Sequence, residues 1–299
     1  MIPLAVCTIN SLVWQVLSYA GVLERINVAT GFHSASVFVQ SNVVSTALGF
    51  LLVFRLNRAS VRWWECRTMW GMVIAYIRVL TSGICEHLSH SPKRRDQAVA
   101  WTAAFAVASK QMLRGETDIS QAELAGVLSS DDVTRLQIAK HPPLYCCEEI
   151  RHAIQRAFPK SCSGDNIPAA IAQSTIIRSL ESSIDALIIN IGGMERIRVT
   201  PLPMVYVSHL RTFLLLYLLL LPYMIGETWG HFTVPAVFIT SFSLLGIDGA
   251  AAECESPFQK CRVNHLDMDT FCQTAFKSVL QILIHAAERE KREVFISES

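Results

Sequence analysis

Four stretches of the chain are apolar over enough residues to cross a bilayer, and the segments between them are polar with helical periodicity. A membrane-spanning helix needs about 20 predominantly apolar residues, which predicts spans at about 1–23, 37–54, 202–225 and 232–252. The first is free of charge until Glu24. No basic stretch precedes it and no small-residue cleavage site stands out, so it reads as a span rather than a signal peptide. The second is the most polar, carrying Gln40, Ser41, Asn42, Ser45 and Thr46. Polar residues in a span tend to face a bundle interior or a water-filled path. The third contains TFLLLYLLLLPYMIG, with Arg211 inside it and Pro222 near its far end, and the fourth contains VPAVFITSFSLLGIDGAA. Gly, Pro, Ser and Thr are common in membrane helices because neighbours satisfy the freed backbone groups.

The middle segment, Thr68 to Arg196, is patterned too. Apolar positions recur at helical spacing in WTAAFAVASKQML (Trp101 to Leu113) and in IIRSLESSIDALIINIGGM (Ile176 to Met194). GETDISQAELAGVL predicts a turn and a capped helix, with Ser120 at the cap and Glu123 three residues on. HPPLY (His141 to Tyr145) and PKSCSGDNIP (Pro159 to Pro168) read as breaks between helices. Beyond the fourth span, NHLDMDTFCQTAFKSVLQILIHAAEREKRE predicts an amphipathic helix with Asp267 or Asp269 near its start. No strand period, repeat or low-complexity tract is present. The expected fold is an all-α membrane protein, one protomer over 1–299, whose spans continue into a helical cytosolic region at about 55–198 and 253–299.

Charge gives the orientation. Eighteen of the 26 Lys and Arg residues lie between Arg55 and Arg198 and six follow the fourth span, whereas the two short loops hold Arg25 and nothing else basic. The positive-inside rule therefore places both termini and the middle segment on the cytosolic side. Composition agrees: 51% of residues are hydrophobic and only 17% charged, against a usual charged share of about 25%, and mean hydropathy is +0.34. A net charge of +1 gives no bulk attraction to nucleic acid. The nine cysteines form no CxxC pair and read as free thiols. CEHLSH (Cys85 to His90) lacks zinc-site spacing, so no metal or other cofactor is expected. Neither GxSxG, HExxH, Walker A nor a dinucleotide fingerprint occurs, which argues against an enzyme. The carboxylates Asp248, Glu253 and Glu255 gather at a span end, where ion pairing is the common use, and the lone His33, His209 and His231 read as hydrogen-bonded bystanders.

The densest signal is FRLNRASVRWWECRTMWG, Phe54 to Gly71. The 29 residues from Ile26 to Phe54 contain no Asp, Glu, Lys or Arg; then Arg55, Arg58, Arg62, Glu65 and Arg67 surround Trp63 and Trp64. A basic, aromatic flank is what the cytosolic end of a span carries. At 100° per residue, Val39, Val43, Thr46, Phe50, Val53, Phe54 and Asn57 share one face, and Leu48, Leu52, Leu56 and Phe38 lie on the other. The stripe Thr46, Phe50, Phe54 fits a packed seam between helices, the commoner use. The alternative is a pore wall, in which stacked aromatic rings gate by dewetting and ring edges tolerate a weakly hydrated anion. A cationic ring below, from Arg55 or Arg58, would raise the local anion concentration.

That segment resembles the signature of the bestrophin-like channel family, an F-R-x-N-x-A-x-x-R-W-W-E-x-R-x-x-W-G pattern. TPLPMVYVSHLRTFLLLYLLLLPYM (Thr200 to Met224) and GIDGAAAECESPFQKCRVNHLDMD (Gly246 to Asp269) are similar to two further family motifs, in the family's order. The resemblance implies a homopentamer in a lipid bilayer passing chloride, and bicarbonate in some members, through a central pore. It places the neck on Thr46, Phe50 and Phe54, pore lining on Val39, Val43 and Asn57, and a cytosolic constriction on Thr175 or Ile176. Arg55, Asn57, Arg62, Trp63, Trp64 and Glu65 would form a structural motif with Glu253, Glu255, Pro257 and Phe258, the two glutamates pairing with the arginines. Cation conduction, as in some bacterial relatives, and a non-conducting scaffold are the alternatives. The resemblance to plant and algal members implies a thylakoid membrane, with the plasma membrane as the other option. Two departures stand out. Thr46 replaces the usual aliphatic residue, and Lys260 and Arg262 stand where animal members hold Ca²⁺, so gating independent of Ca²⁺ is expected. The family's soluble stretch before the first span has no counterpart in this sequence, and either a shortened sequence or a member without that N-terminal helix is expected to account for it.

Overall fold

Prolines and short polar side chains mark where helices begin in the computed structural model, which describes residues 2–20, 42–116, 121–158, 167–259 and 265–298. The helices are α1 (Ile2–Tyr19), α2 (Asn42–His87), α3 (Pro92–Arg114), α4 (Gln121–Leu124), α5 (Ser130–Ile138), α6 (Pro142–Ala157), α7 (Ile167–Val199), α8 (Met204–Trp229), a 3₁₀ turn (Gly230–Phe232), α9 (Thr233–Glu255) and α10 (Met268–Glu298). Pro92 and Pro142 occupy first helical positions, where a missing N–H costs nothing. Ser129 caps α5 by accepting from the Asp132 amide at 3.2 Å, and Asp267 caps α10 through the Thr270 amide at 3.1 Å. Among the described residues there is no strand, only an isolated bridge between Ala125 and Leu128.

The chain divides into two units, residues 1–63 with 201–257 and residues 64–200 with 258–299, the division falling within the single helix α2. Among the described residues four helical stretches are long and apolar enough to cross a membrane: Ile2–Tyr19, Val44–His87, Met204–Gly226 and Gly230–Glu255. Three of them overlap the predicted spans closely, whereas the second belongs to a helix that continues well past residue 54, and the protein is an integral membrane protein of helices.

In the first unit α1 packs on α8 and α9, and α8 on α9. Leu210, Leu214, Leu218 and Leu221 form the buried stripe of α8, meeting Cys7, Leu48, Leu52 and Val237. Cys7, Ser11 and Trp14, at i, i+4 and i+7, form the buried stripe of α1. Small residues let helix backbones approach, which is how membrane helices gain packing contact. Gly226 shows the limit, since a Cβ there would stand 1.9 Å from the Trp14 ring. Pro222 has no N–H for the carbonyl four residues back. Beside that gap Asn10 Nδ2 donates to the Leu219 carbonyl at 2.8 Å, and the Tyr223 hydroxyl donates to Asn10 Oδ1 at 3.3 Å.

The second unit is built around α3, whose residues from Trp101 to Gln111 are buried. A helix buried on all sides needs neighbours on all sides, and α6, α7 and α10 pack on it. Gly115 ends α3 in the left-handed region at a φ of 75°, its amide returning to the Gln111 and Met112 carbonyls. The Arg198 guanidinium also donates to the Met112 carbonyl. Buried Lys110 donates to Glu123 at 2.6 Å and to Asp269 at 2.9 Å, while Arg114 donates to Asp269 at 2.7 Å. The Arg114 hydrogen bond, reinforced by Lys110, holds the Asp269 carboxyl well below the usual carboxylate range. Burial works against the Lys110 ammonium, but its bonds to Asp269 and Glu123 outweigh that and raise its pKa. Burial pushes the Cys147 and Cys272 thiols up to about 12, so both are protonated at neutral pH.

The local expectations gain detail. HPPLY starts a helix, with His141 as its cap, accepting from the Leu144 amide at 3.2 Å while its Nε2 meets Glu195. Among the described residues of GETDISQAELAGVL the helix is the single turn of α4, followed by Gly126 at a φ of 81°. Glu123 is spent on Lys110, and Ser120 lies outside the described residues, as do 159–166 of PKSCSGDNIP.

Candidate pore-lining face

Leu48, Leu52, Arg55 and Ala59 point one side of α2 into the first unit, all 1% exposed or less. Helical spacing then turns Thr46, Phe50, Val53, Phe54, Asn57 and Arg58 outward. Phe50 is 63% exposed, Val53 61% and Phe54 47%. The Phe50 and Phe54 rings meet edge to face, with centroids 4.5 Å apart and planes at 83°, the arrangement that quadrupoles favour. The stripe is therefore one continuous aromatic surface with a hydroxyl above it and an amide and a guanidinium below.

Directly under the stripe is a charge cluster. Arg55 Nε donates to Glu255 at 3.0 Å, and its Nη1 donates to Asp248. Asp248 also accepts from Arg211 at 3.2 Å. Two guanidiniums and two carboxylates thus join α2, α8 and α9 in one balanced group. Charges inside a membrane bundle persist only when paired in this way. Sequence reasoning matched the arginines to Glu253 and Glu255; the structure gives Arg55 to Glu255 and Asp248, and Glu253 is half-buried. Arg55, one of two candidates for a cationic ring, is buried because its position on the helix faces α9.

Further along α2, Arg62 and Trp63 are half-buried, Trp64 is 64% exposed and Glu65 is exposed. Pro257 and Phe258 are buried. On α7, Thr175 is exposed, its hydroxyl bonded to the Ile171 carbonyl at 2.9 Å, and Ile176 is half-buried. Val39, His33, Lys260 and Arg262 lie outside the described residues, and so does the Val43 side chain. His209 is exposed, and His231 bonds to the Tyr19 hydroxyl at 2.6 Å. Among the described residues no group of three His, Cys, Asp or Glu side chains could hold a metal ion.

One feature went unnoticed in the sequence. Phe238 and Phe242 on α9 also stand at i, i+4 and are exposed, with rings stacked at 6.4 Å. Their neighbour Ile239 is 64% exposed, and Thr240 and Ser243 spend their hydroxyls on carbonyls of α9 itself. That is a lipid-compatible surface, like the exposed Val6, Ile9, Val13 and Val16 of α1. The signal separating the two phenylalanine pairs is polarity at the ends of the stripe.

Residues 2–281 match the family model described as bacterial/fungal bestrophin protein. The chain is 34% identical over 243 residues to a voltage-dependent anion channel-forming protein of Nostoc sp., spanning 80% of this chain and 75% of that one. It is 32% identical to a protein of the same description from Synechocystis sp., over 80% of this chain and 76% of the relative. The chloroplastic voltage-dependent chloride channel 1 of Arabidopsis thaliana is 28% identical, over 75% of this chain and 52% of its own length. A solved bacterial bestrophin homologue from Klebsiella pneumoniae shares the fold, with a TM-score of 0.79 over 94% of this chain and 97% of that chain at 21% identity.

Proposed function

The chain belongs to the bacterial/fungal bestrophin family, and on that premise we propose that it forms a passive anion channel, five copies surrounding a pore walled by the Thr46, Phe50 and Phe54 faces of α2. The observation that carries this reading is the outward Phe50–Phe54 pair, bounded by Thr46 on one side and by Asn57 and Arg58 on the other. A lipid-facing stripe has no use for those polar ends, whereas a water-filled path does. The relatives from Nostoc and Synechocystis, named as anion channel-forming proteins, support the same reading.

In this account the phenylalanines form a narrow apolar constriction that opens and closes by wetting. Thr46 makes its upper edge easier to wet than an aliphatic side chain would. A constriction without fixed charge favours an ion that sheds water readily, so chloride passes and bicarbonate is the second candidate. The Arg55–Asp248–Arg211–Glu255 cluster holds α2 against α8 and α9 under the neck. Thr175 on α7 is the proposed second constriction, on the cytosolic side.

The test is single-channel recording in planar bilayers of Phe50→Ala with Phe54→Ala beside Phe238→Ala with Phe242→Ala. The first pair is expected to raise conductance or open probability several-fold and the second to leave both at wild-type values. Equal responses from the two pairs would return Phe50 and Phe54 to a lipid-facing role.

A further inference from the structure

The apolar neck explains how an ion is stripped of water but not which sign of ion enters. Among the described residues of the first unit, Arg55, Arg58 and Arg211 stand near the lower end of the stripe, and Arg62, one turn beyond Arg58, is half-buried. Arg55 is fully buried and opposed by Asp248 and Glu255. Arg211 is opposed by Asp248. Arg58 alone of the three is turned outward with the stripe and, among the described residues, has no carboxylate at ion-pair distance.

We propose that Arg58 is the residue that sets anion over cation selectivity, an assignment that rests on the channel reading above. Arg58 follows Phe54 by four residues, a rise of about 6 Å and a turn of about 40° along the helix. At physiological ionic strength charges act over a Debye length of about 8 Å, so its guanidinium reaches an ion leaving the aromatic constriction. Low-dielectric walls above it focus that field. Copies around the axis add their potentials, and each remains solvated because the side chain is exposed rather than packed. A guanidinium carries a positive charge spread over a planar fork of five N–H donors. It is also weakly hydrated and delocalised, which suits an ion that must bind and leave rather than stay.

The division of labour between Arg55 and Arg58 follows from their placement. Three residues apart, they stand only about 60° from each other around α2, on either side of the edge between its buried and exposed faces: Arg55 is buried and Arg58 exposed. Arg55 positions the helix, and Arg58 keeps its charge free for the permeant ion.

The experiment compares wild type with Arg58→Lys, Arg58→Gln and Arg58→Glu, each first matched to wild type in oligomeric size, by reversal potentials in asymmetric sodium chloride. Arg58→Gln is expected to lower the chloride-to-sodium permeability ratio by about tenfold, the lower end of what focused fields do to local ion concentration. Arg58→Glu is expected to favour sodium, and Arg58→Lys to keep the wild-type ratio. Phe50→Ala is recorded in the same series. An unchanged ratio in Arg58→Gln and Arg58→Glu, in channels whose conductance still responds to Phe50→Ala, would overturn the Arg58 assignment and leave the neck standing. The same loss in Arg58→Lys as in Arg58→Gln would overturn a role based on charge. Currents insensitive to both positions would overturn the channel reading itself.

Discussion

Arg55→Ala is expected to lower the stability of the folded protein by about 3 kcal/mol, the low end of the range for breaking a buried ion pair. Arg55 is 0% exposed and bonds both Asp248 and Glu255, which are 14% and 21% exposed. Its removal leaves Glu255 without that partner at the end of a membrane helix, while Asp248 keeps Arg211 at 3.2 Å. The retained pair, and the Arg55 Nη2 that has no hydrogen bond even in the intact protein, put the loss at the lower end. Arg55→Lys should recover only part of it, because an ammonium cannot present the two-sided fork that meets two carboxylates. Unfolding curves of the purified protein in mixed micelles check this. Equal stability of Arg55→Ala and wild type would mean that the cluster holds nothing together.

Asp269→Asn is expected to cost about 2 kcal/mol at neutral pH, by leaving Lys110 and Arg114 short of a charge partner. The figure is set below that for a fully buried pair because Asp269 is 46% exposed and solvent screens it. The pH dependence has a definite sign. The folded state holds the Asp269 carboxyl below its usual range, so its contribution is fully present above the unfolded value of about 4. It is lost as pH falls through the depressed folded value. Wild type and Asp269→Asn should therefore differ at pH 7 and converge progressively below pH 4. A difference that stays constant with pH would assign the effect to shape rather than charge. Melting curves of the two proteins between about pH 3 and 7 decide it.

How much of this was legible in the sequence depends on the range of the interaction. The spans could be read because apolar runs of 20 residues have few other uses, and α2 because one face alternates with another at a fixed angle. The stripe through Thr46, Phe50 and Phe54 needs only i, i+4 spacing, so its outward direction opposite Leu48 and Leu52 was within reach. The separate fates of Arg55 and Arg58 were not. Both belong to one basic run, and what buries Arg55 is Asp248 and Glu255, about 200 residues away. Glu123 looked like half of a capping box, yet its partner is Lys110 on the preceding long helix. The capped helix expected there is the single turn of α4, with Gly126 at positive φ just beyond it. HPPLY does mark a boundary between helices, but its prolines belong to the helix that follows, which His141 caps. Phe238 and Phe242 show the opposite failing, a visible spacing whose meaning comes only from its surroundings.

The most direct test of the central claim is the zero-current potential of the purified wild-type protein in a planar bilayer under a tenfold sodium chloride gradient. An anion channel predicts reversal near the chloride equilibrium potential. Reversal near the sodium potential, or no current from a folded oligomer, would contradict it.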